Sequence, residues 1–220
     1  MSWESTALYY QAINREMAAR LGGLNSAKLL LASVNFAEVG SKQKAGEWDA
    51  LATQLGELAK SLQTAGADCI LICTNTMHKI APHVAREVSV PLLHIATPTT
   101  TAIKAAGLHT VGLLGTQFTM SETFMHEHYA DADVRCIVPD EHTQNEVHRI
   151  IFEELCQGII SDRSRAALVT ACEALCAQGA QGIVLGCTEL TLSVKPQHIS
   201  QPLFDTTALH GLAAVDFALS

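Results

Sequence analysis

The 220-residue chain has no uninterrupted apolar run long enough to span a bilayer, no Cys-x-x-Cys pair and no His-Glu-x-x-His segment. The first absence excludes a membrane-spanning helix of the usual length. The other two remove common signatures of redox and metal chemistry. Charge is scarce too: 16% of residues are charged against 48% hydrophobic, the balance of a globular chain with little sign of disorder. Lys and Arg number 14 against 22 Asp and Glu, a formal charge of -8, so there is no cationic surplus for a nucleic acid or an anionic membrane. The opening Met1-Ser-Trp-Glu-Ser lacks a basic segment leading into an apolar one, and a cytoplasmic protein is expected.

Seven cysteines, at 69, 73, 136, 156, 172, 176 and 187, form an odd and scattered set, which predicts reduced thiols rather than a disulfide framework. Ten histidines raise the question of a metal, with His126-Glu127-His128 the nearest candidate. Residues two apart on a helix do not share a face, so a solvated surface is expected there and no metal ligand is assigned.

What the chain does have is an echo. Gly66-Ala-Asp-Cys-Ile-Leu-Ile-Cys-Thr-Asn-Thr76 and Gly179-Ala-Gln-Gly-Ile-Val-Leu-Gly-Cys-Thr-Glu189 align without a gap, 113 residues apart. Each follows an amphipathic stretch, and each is a short apolar run ending in small or polar residues. Two similar halves facing each other across one site are the expected consequence. In register, Thr74 lies opposite Cys187, while Cys73 is one residue out of step.

Short branched runs at 27–34, 69–72, 91–95, 110–114, 134–138, 182–186 and 202–204 read as strands. Segments of helical period separate most of them: near 4–20, near 47–64 through Trp48, Leu51, Leu55, Leu58 and Leu62, near 119–130, and along Ala167, Leu168, Ala171 and Leu175. Alternation of this kind predicts an α/β fold with parallel sheets. The halves match element for element, except that the first lacks an opening strand, which the repeat places before Met1. Residues 1–95 with 205–220 are expected to form the first domain, a C-terminal helix near 207–219 packing back on it, and 96–204 the second.

Strand ends that feed helices present free backbone N–H groups, which suit a carboxylate or phosphate. Thr74-Asn75-Thr76 and Cys187-Thr188-Glu189 both stand at such positions, where helix capping is the plainer explanation for any one copy. A buried hydrophobe is the usual fate of a free cysteine, but a thiol before a helix N-terminus predicts a lowered pKa for Cys187. Gly112-Leu-Leu-Gly115-Thr116 lacks the third glycine of a dinucleotide fingerprint, and no nucleotide cofactor is assigned.

Met1-Ser-Trp-Glu-Ser-Thr6, Thr74-Asn-Thr-Met-His78, Gly112-Leu-Leu-Gly-Thr116 and Gly186-Cys-Thr-Glu189 together resemble the aspartate/glutamate racemase family, closest to its bacterial L-aspartate/glutamate-specific or broad-specificity subgroup. The resemblance covers essentially the whole chain. It implies two pseudo-symmetric Rossmann-like halves, each doubly wound on a parallel four-stranded sheet, with the site between them. It implies a racemase that needs no pyridoxal phosphate or other cofactor, a small amino-acid substrate and a homodimer. By resemblance Cys187 and Thr74 are the two catalytic groups. Asn75, Thr76, Thr116 and Thr188 bind substrate carboxylates, and Met1 and Gln43 make further substrate contacts. Racemisation removes a proton from one face of Cα and delivers one to the other, so two acid/base groups must flank the substrate. Two further readings stand beside this one: a single-thiol decarboxylase of the same superfamily, and an inactive relic with a shortened N-terminus.

Overall fold

The computed structural model describes all 220 residues. Helix α1 (Trp3–Leu21) is followed by α2 (Phe36–Ala45), α3 (Trp48–Thr64), strand β1 (Ile70–Leu71), α4 (Ala81–Arg86), β2 (Leu92–Leu93) and α5 (Ala96–Ala105). Next come β3 (Thr110–Gly115), α6 (Gln117–Ser121), α7 (Thr123–Asp131), β4 (Arg135–Ile137), α8 (Glu141–Glu153) and α9 (Asp162–Ala177). The chain ends with β5 (Ile183–Gly186), α10 (Leu190–Ser193), β6 (Leu203–Asp205) and α11 (Thr206–Leu219). The expected α/β class with parallel sheets is what forms.

Met1–Ile95 together with His210–Ser220 makes one compact unit, and Ala96–Leu209 makes the other. In the second unit the sheet runs β4-β3-β5-β6, all parallel. Its core gathers Leu114, Ile183 and Leu185 of the sheet with Val147, Ile150 and Ile151 of α8 and Leu168, Cys172 and Leu175 of α9. The apolar residues of α8 and α9 recur at three- and four-residue steps, so each helix buries one stripe. A Cβ on Gly112 would stand 2.8 Å from both Leu175 Cδ1 and Ile183 Cδ1. The glycine of the apparent fingerprint therefore serves close packing of α9 on β3.

In the first unit the sheet is only β1 and β2, two paired residues each. So short a ladder is marginal alone. It is held by α3, whose Leu51, Ala52, Leu55 and Ala59 are buried with Ile70, Ile72 and Met77. Here one expectation fails. The run 27–34 forms no strand, so the first half, expected to lack only its opening strand, pairs two strands rather than three. In the second unit β4 is held by pairing with β3. The run 27–34 has no strand beside it with which to exchange main-chain bonds, so it stays unpaired, and Leu30 and Leu31 are 49% and 52% exposed. Local β propensity does not make a strand without a partner.

Other differences are of boundary and number. The helix expected near 119–130 is two, broken at Glu122, whose backbone is extended. Helices α2, α4 and α5 are elements beyond those expected; the buried stripe of α5 is half threonine (Ala96, Thr99, Thr100, Ile103) and that of α2 is Val39 with Gln43, so a purely apolar count passes over both.

Candidate functional site

The echo is a structural repeat as well as a sequence one. Gly66 and Gly179 have φ of +99° and +102°, a region open to glycine and costly to other residues. Both turn the chain out of a long helix in the same way. Gly66 N donates to Gln63 O and Ala67 N to Leu62 O, at 2.9 and 3.0 Å. Gly179 N donates to Cys176 O and Ala180 N to Leu175 O, both at 3.0 Å. Each pair closes its helix with the double bond of a Schellman turn.

In the first unit the strand ends in a tight turn, with Thr74 N donating to Ile72 O at 2.8 Å. Three neighbours hold that turn. The Cys73 carbonyl accepts from Met1 N at 3.0 Å and from Ser5 Oγ at 3.1 Å. The Thr74 carbonyl is 2.8 Å from His78 Nδ1, and His78 Nε2 accepts from Ile95 N at 3.1 Å. That second bond requires the tautomer with its proton on Nδ1, which donates to Thr74 O. His78 is buried, and burial, with His94 and His210 adding to it, keeps its imidazole neutral by pushing its pKa well below the usual value. Asn75 and Thr76 are buried beside it, while Thr74 is half-buried. Gln43 is buried too, its amide donating to Met77 Sδ at 3.0 Å, one residue beyond Thr76. Cys73, the out-of-step thiol, is pushed up to about 11 by burial.

In the second unit Gly115 and Gly186 are partners in the β3–β5 ladder. A Cβ on Gly115 would stand 2.9 Å from Gly186 O, and one on Gly186 would stand 2.9 Å from Leu114 O. Only glycine lets the two strand ends approach this closely, and Thr116 and Cys187 follow directly. Thr116 caps α6, its Oγ1 accepting from Thr119 N at 3.4 Å. Cys187 is 8% exposed, and its thiol donates to Glu189 Oε2 at 3.1 Å. Thr188 Oγ1 donates to the same oxygen at 2.5 Å.

The lowered pKa expected for Cys187 is not found. Burial, then the Glu189 carboxylate, then Cys156 push the thiol well above its ordinary value. Helix α10 begins close by but is four residues long, too short to offset burial and an adjacent carboxylate. Cys187 is therefore a protonated thiol in this state.

Thr74, Asn75, Thr76, Met1 and Gln43 thus gather in the first unit, and Thr116, Cys187 and Thr188 in the second. His78 and Glu189 carry as many of the contacts but were given no role from the sequence. Their signal was present: Glu189 closes the second copy of the echo, and His78 lies one helical turn beyond Thr74. At the His126-Glu127-His128 segment, His126 Nε2 bonds Met120 O at 2.7 Å and His128 Nε2 bonds Thr97 Oγ1 at 3.1 Å, so those imidazole nitrogens are already engaged.

Over residues 1–214 the sequence matches the family of Asp/Glu/Hydantoin racemases. The chain belongs to that family. Among solved structures it is similar to a candidate Asp/Glu racemase from Yersinia pestis, at 48% identity and a TM-score of 0.93, covering 100% of this chain and 96% of that one. An aspartate racemase homologue from Pyrococcus horikoshii OT3 is 32% identical with a TM-score of 0.84, covering 99% and 95% of the two chains. Glutamate racemase from Francisella tularensis, solved with D-glutamate, is 14% identical at a TM-score of 0.62 over 96% of this chain and 76% of that one, a likeness of fold. Parallel sheets carry both units, and no helix is long and apolar enough to cross a membrane.

Proposed function

We propose that this member of the racemase family interconverts the enantiomers of aspartate, glutamate or a related polar amino acid without an imine-forming cofactor, with Thr74 and Cys187 as its proton-transfer groups. The observation that carries the reading is the repeated segment: opened by the same turn at Gly66 and Gly179, it runs through a strand and ends once in a hydroxyl, Thr74, and once in a thiol, Cys187. Two such ends, one from each unit, supply the two groups that inversion at Cα requires. Asn75, Thr76, Thr116 and Thr188, with Met1 and Gln43, are taken as the substrate contacts. Hydrogen bonds from such groups to the α-carboxylate stabilise the enolate-like transition state, which is the work an imine would otherwise do. The reading extends to a homodimer working in the cytoplasm.

The two groups are chemically unequal, since an alcohol is a far weaker acid than a thiol. Mirror-image amino acids have an equilibrium constant of one. kcat/KM is therefore equal in the two directions, and any apparent preference lies in kcat and KM separately.

The test is deuterium incorporation at Cα in heavy water. Wild type and Thr74→Cys exchange the Cα proton of L- and D-aspartate or glutamate, whereas Cys187→Ala does not. A wild-type protein that exchanges none of a panel of amino acids would sink the proposal. The raised pKa of Cys187 also favours a second reading, because a thiol held protonated suits an enzyme that only donates a proton to an enolate after loss of carbon dioxide. Release of carbon dioxide from a substituted malonate, without racemisation, would choose that reading.

A further inference from the structure

A protonated, buried thiol is poor equipment for removing a proton from carbon. Something must first take the proton from Cys187, and one side chain stands where it could. Glu189 is 5% exposed and follows Cys187 by two residues in the turn between β5 and α10. Two donors converge on a single oxygen of it: the Cys187 thiol at 3.1 Å and the Thr188 hydroxyl at 2.5 Å. We propose that Glu189 is a third catalytic residue, the proton acceptor for the Cys187 thiol. The inference rests on the role given to Cys187 above.

The charges argue for transfer rather than for a fixed carboxylate. If Glu189 stayed ionised throughout, forming the Cys187 thiolate would set two negative charges side by side in a buried turn, which burial makes costly. Transfer across the 3.1 Å contact avoids this. The S–H bond breaks and an O–H bond forms at Oε2, so the pair carries one negative charge before and after. The other group that acts electrostatically on the thiol is Cys156, from the turn after α8, and it too opposes a lone negative charge there.

Thr188 is drawn into the same step. While Glu189 is a carboxylate, the Thr188 hydroxyl donates to it. Once Oε2 carries a proton, that bond can reverse, with Glu189 donating and the Thr188 proton free for an incoming carboxylate. Thiolate formation and carboxylate binding then favour each other. The cycle balances. The thiolate takes the Cα proton, the carbanion takes one from Thr74 on its other face, Thr74 recovers a proton from water, and Glu189 returns its own to the hydroxide left behind.

A plain electrostatic or structural role makes a different prediction, and pH separates the two. With Glu189 as acceptor, the thiolate is formed inside the pair, so its amount does not change with pH while the pair as a whole holds one proton, and the rates are compared from about pH 6 to 8. Without an acceptor, the thiolate rises tenfold per pH unit. The readout is the rate at which iodoacetamide alkylates Cys187, located by peptide mass, alongside the pH profile of Cα exchange. In wild type both rates are expected to be flat over that range. In Glu189→Gln, which keeps an oxygen for the thiol and Thr188 but cannot take the proton, both should rise tenfold per unit. Glu189→Asp, a shorter carboxyl, restores the flat profile at a lower rate. The same slope in wild type and Glu189→Gln, whether flat or tenfold per unit, overturns the proposal. Alkylation needs no turnover. Failure of the racemase reading appears as absent Cα exchange in wild type, whereas failure of the Glu189 role appears in the alkylation slopes.

Discussion

Acid is expected to weaken the first unit through one buried imidazole. His210 is fully buried in α11, with Nδ1 accepting from the Tyr9 hydroxyl at 2.8 Å and Nε2 donating to Leu93 O at 2.7 Å. Both nitrogens are satisfied in the neutral ring, and burial pushes its pKa from 6.5 down to about 4. The native pKa lies below the unfolded one, so between them the unfolded chain binds a proton that the native chain refuses. Stability is therefore complete above about pH 6.5 and falls as pH drops toward 4, by about 3 kcal/mol at 1.36 kcal/mol per unit. His78 adds a loss in the same direction. In His210→Gln the amide can still donate to Leu93 O and accept from Tyr9 but does not titrate. Urea unfolding followed by tryptophan fluorescence reports on this unit directly, because Trp3 and Trp48 both lie in it. From pH 7 to pH 4 wild type should lose about 3 kcal/mol more than His210→Gln, with the His78 effect common to both. Parallel losses in the two proteins would refute the reasoning.

Gly186→Ala should destabilise the second unit by several kcal/mol or shift the β5 end, because its Cβ would stand 2.9 Å from Leu114 O, a backbone atom that cannot swing aside. Urea unfolding and Cα exchange together measure it, and unchanged values for both would contradict the close approach. Asp140→Ala removes the cap whose Oδ1 accepts from Thr143 N at 2.8 Å, and should lower stability by about 1 kcal/mol without altering exchange. Cys73→Ser should leave Cα exchange within about threefold of wild type, since the turn uses the Cys73 main-chain carbonyl rather than its thiol. A large loss would place Cys73 among the reacting groups.

The α/β class was legible because each signal behind it is local. The stripe of Leu51, Leu55 and Leu58 on α3, the branched run before Gly186 and the glycines that end α3 and α9 each act within a turn or two of chain. The run 27–34 was misread for the complementary reason. Its composition suits a strand, but a strand exists only when another lies alongside, and neighbours across a sheet are not written in a segment's own residues. Gly112 shows the same limit, since a motif fragment that resembled a phosphate loop turns out to admit Leu175 of α9.

The sequence by itself determined the repeat, its register and hence the pairing of Thr74 with Cys187 as candidates, because a gapless offset of 113 residues needs no coordinates to be seen. It could not determine the ionisation of those groups. A helix N-terminus argued for an acidic thiol, and only the tertiary structure showed how deeply Cys187 is buried and that the Glu189 carboxylate stands 3.1 Å from its sulfur. Protonation is decided by the dielectric and the charges within a few ångströms, and those are assembled by packing rather than by order along the chain. The same holds for His78 and His210, neutral because folding buries them and engages both nitrogens of each ring.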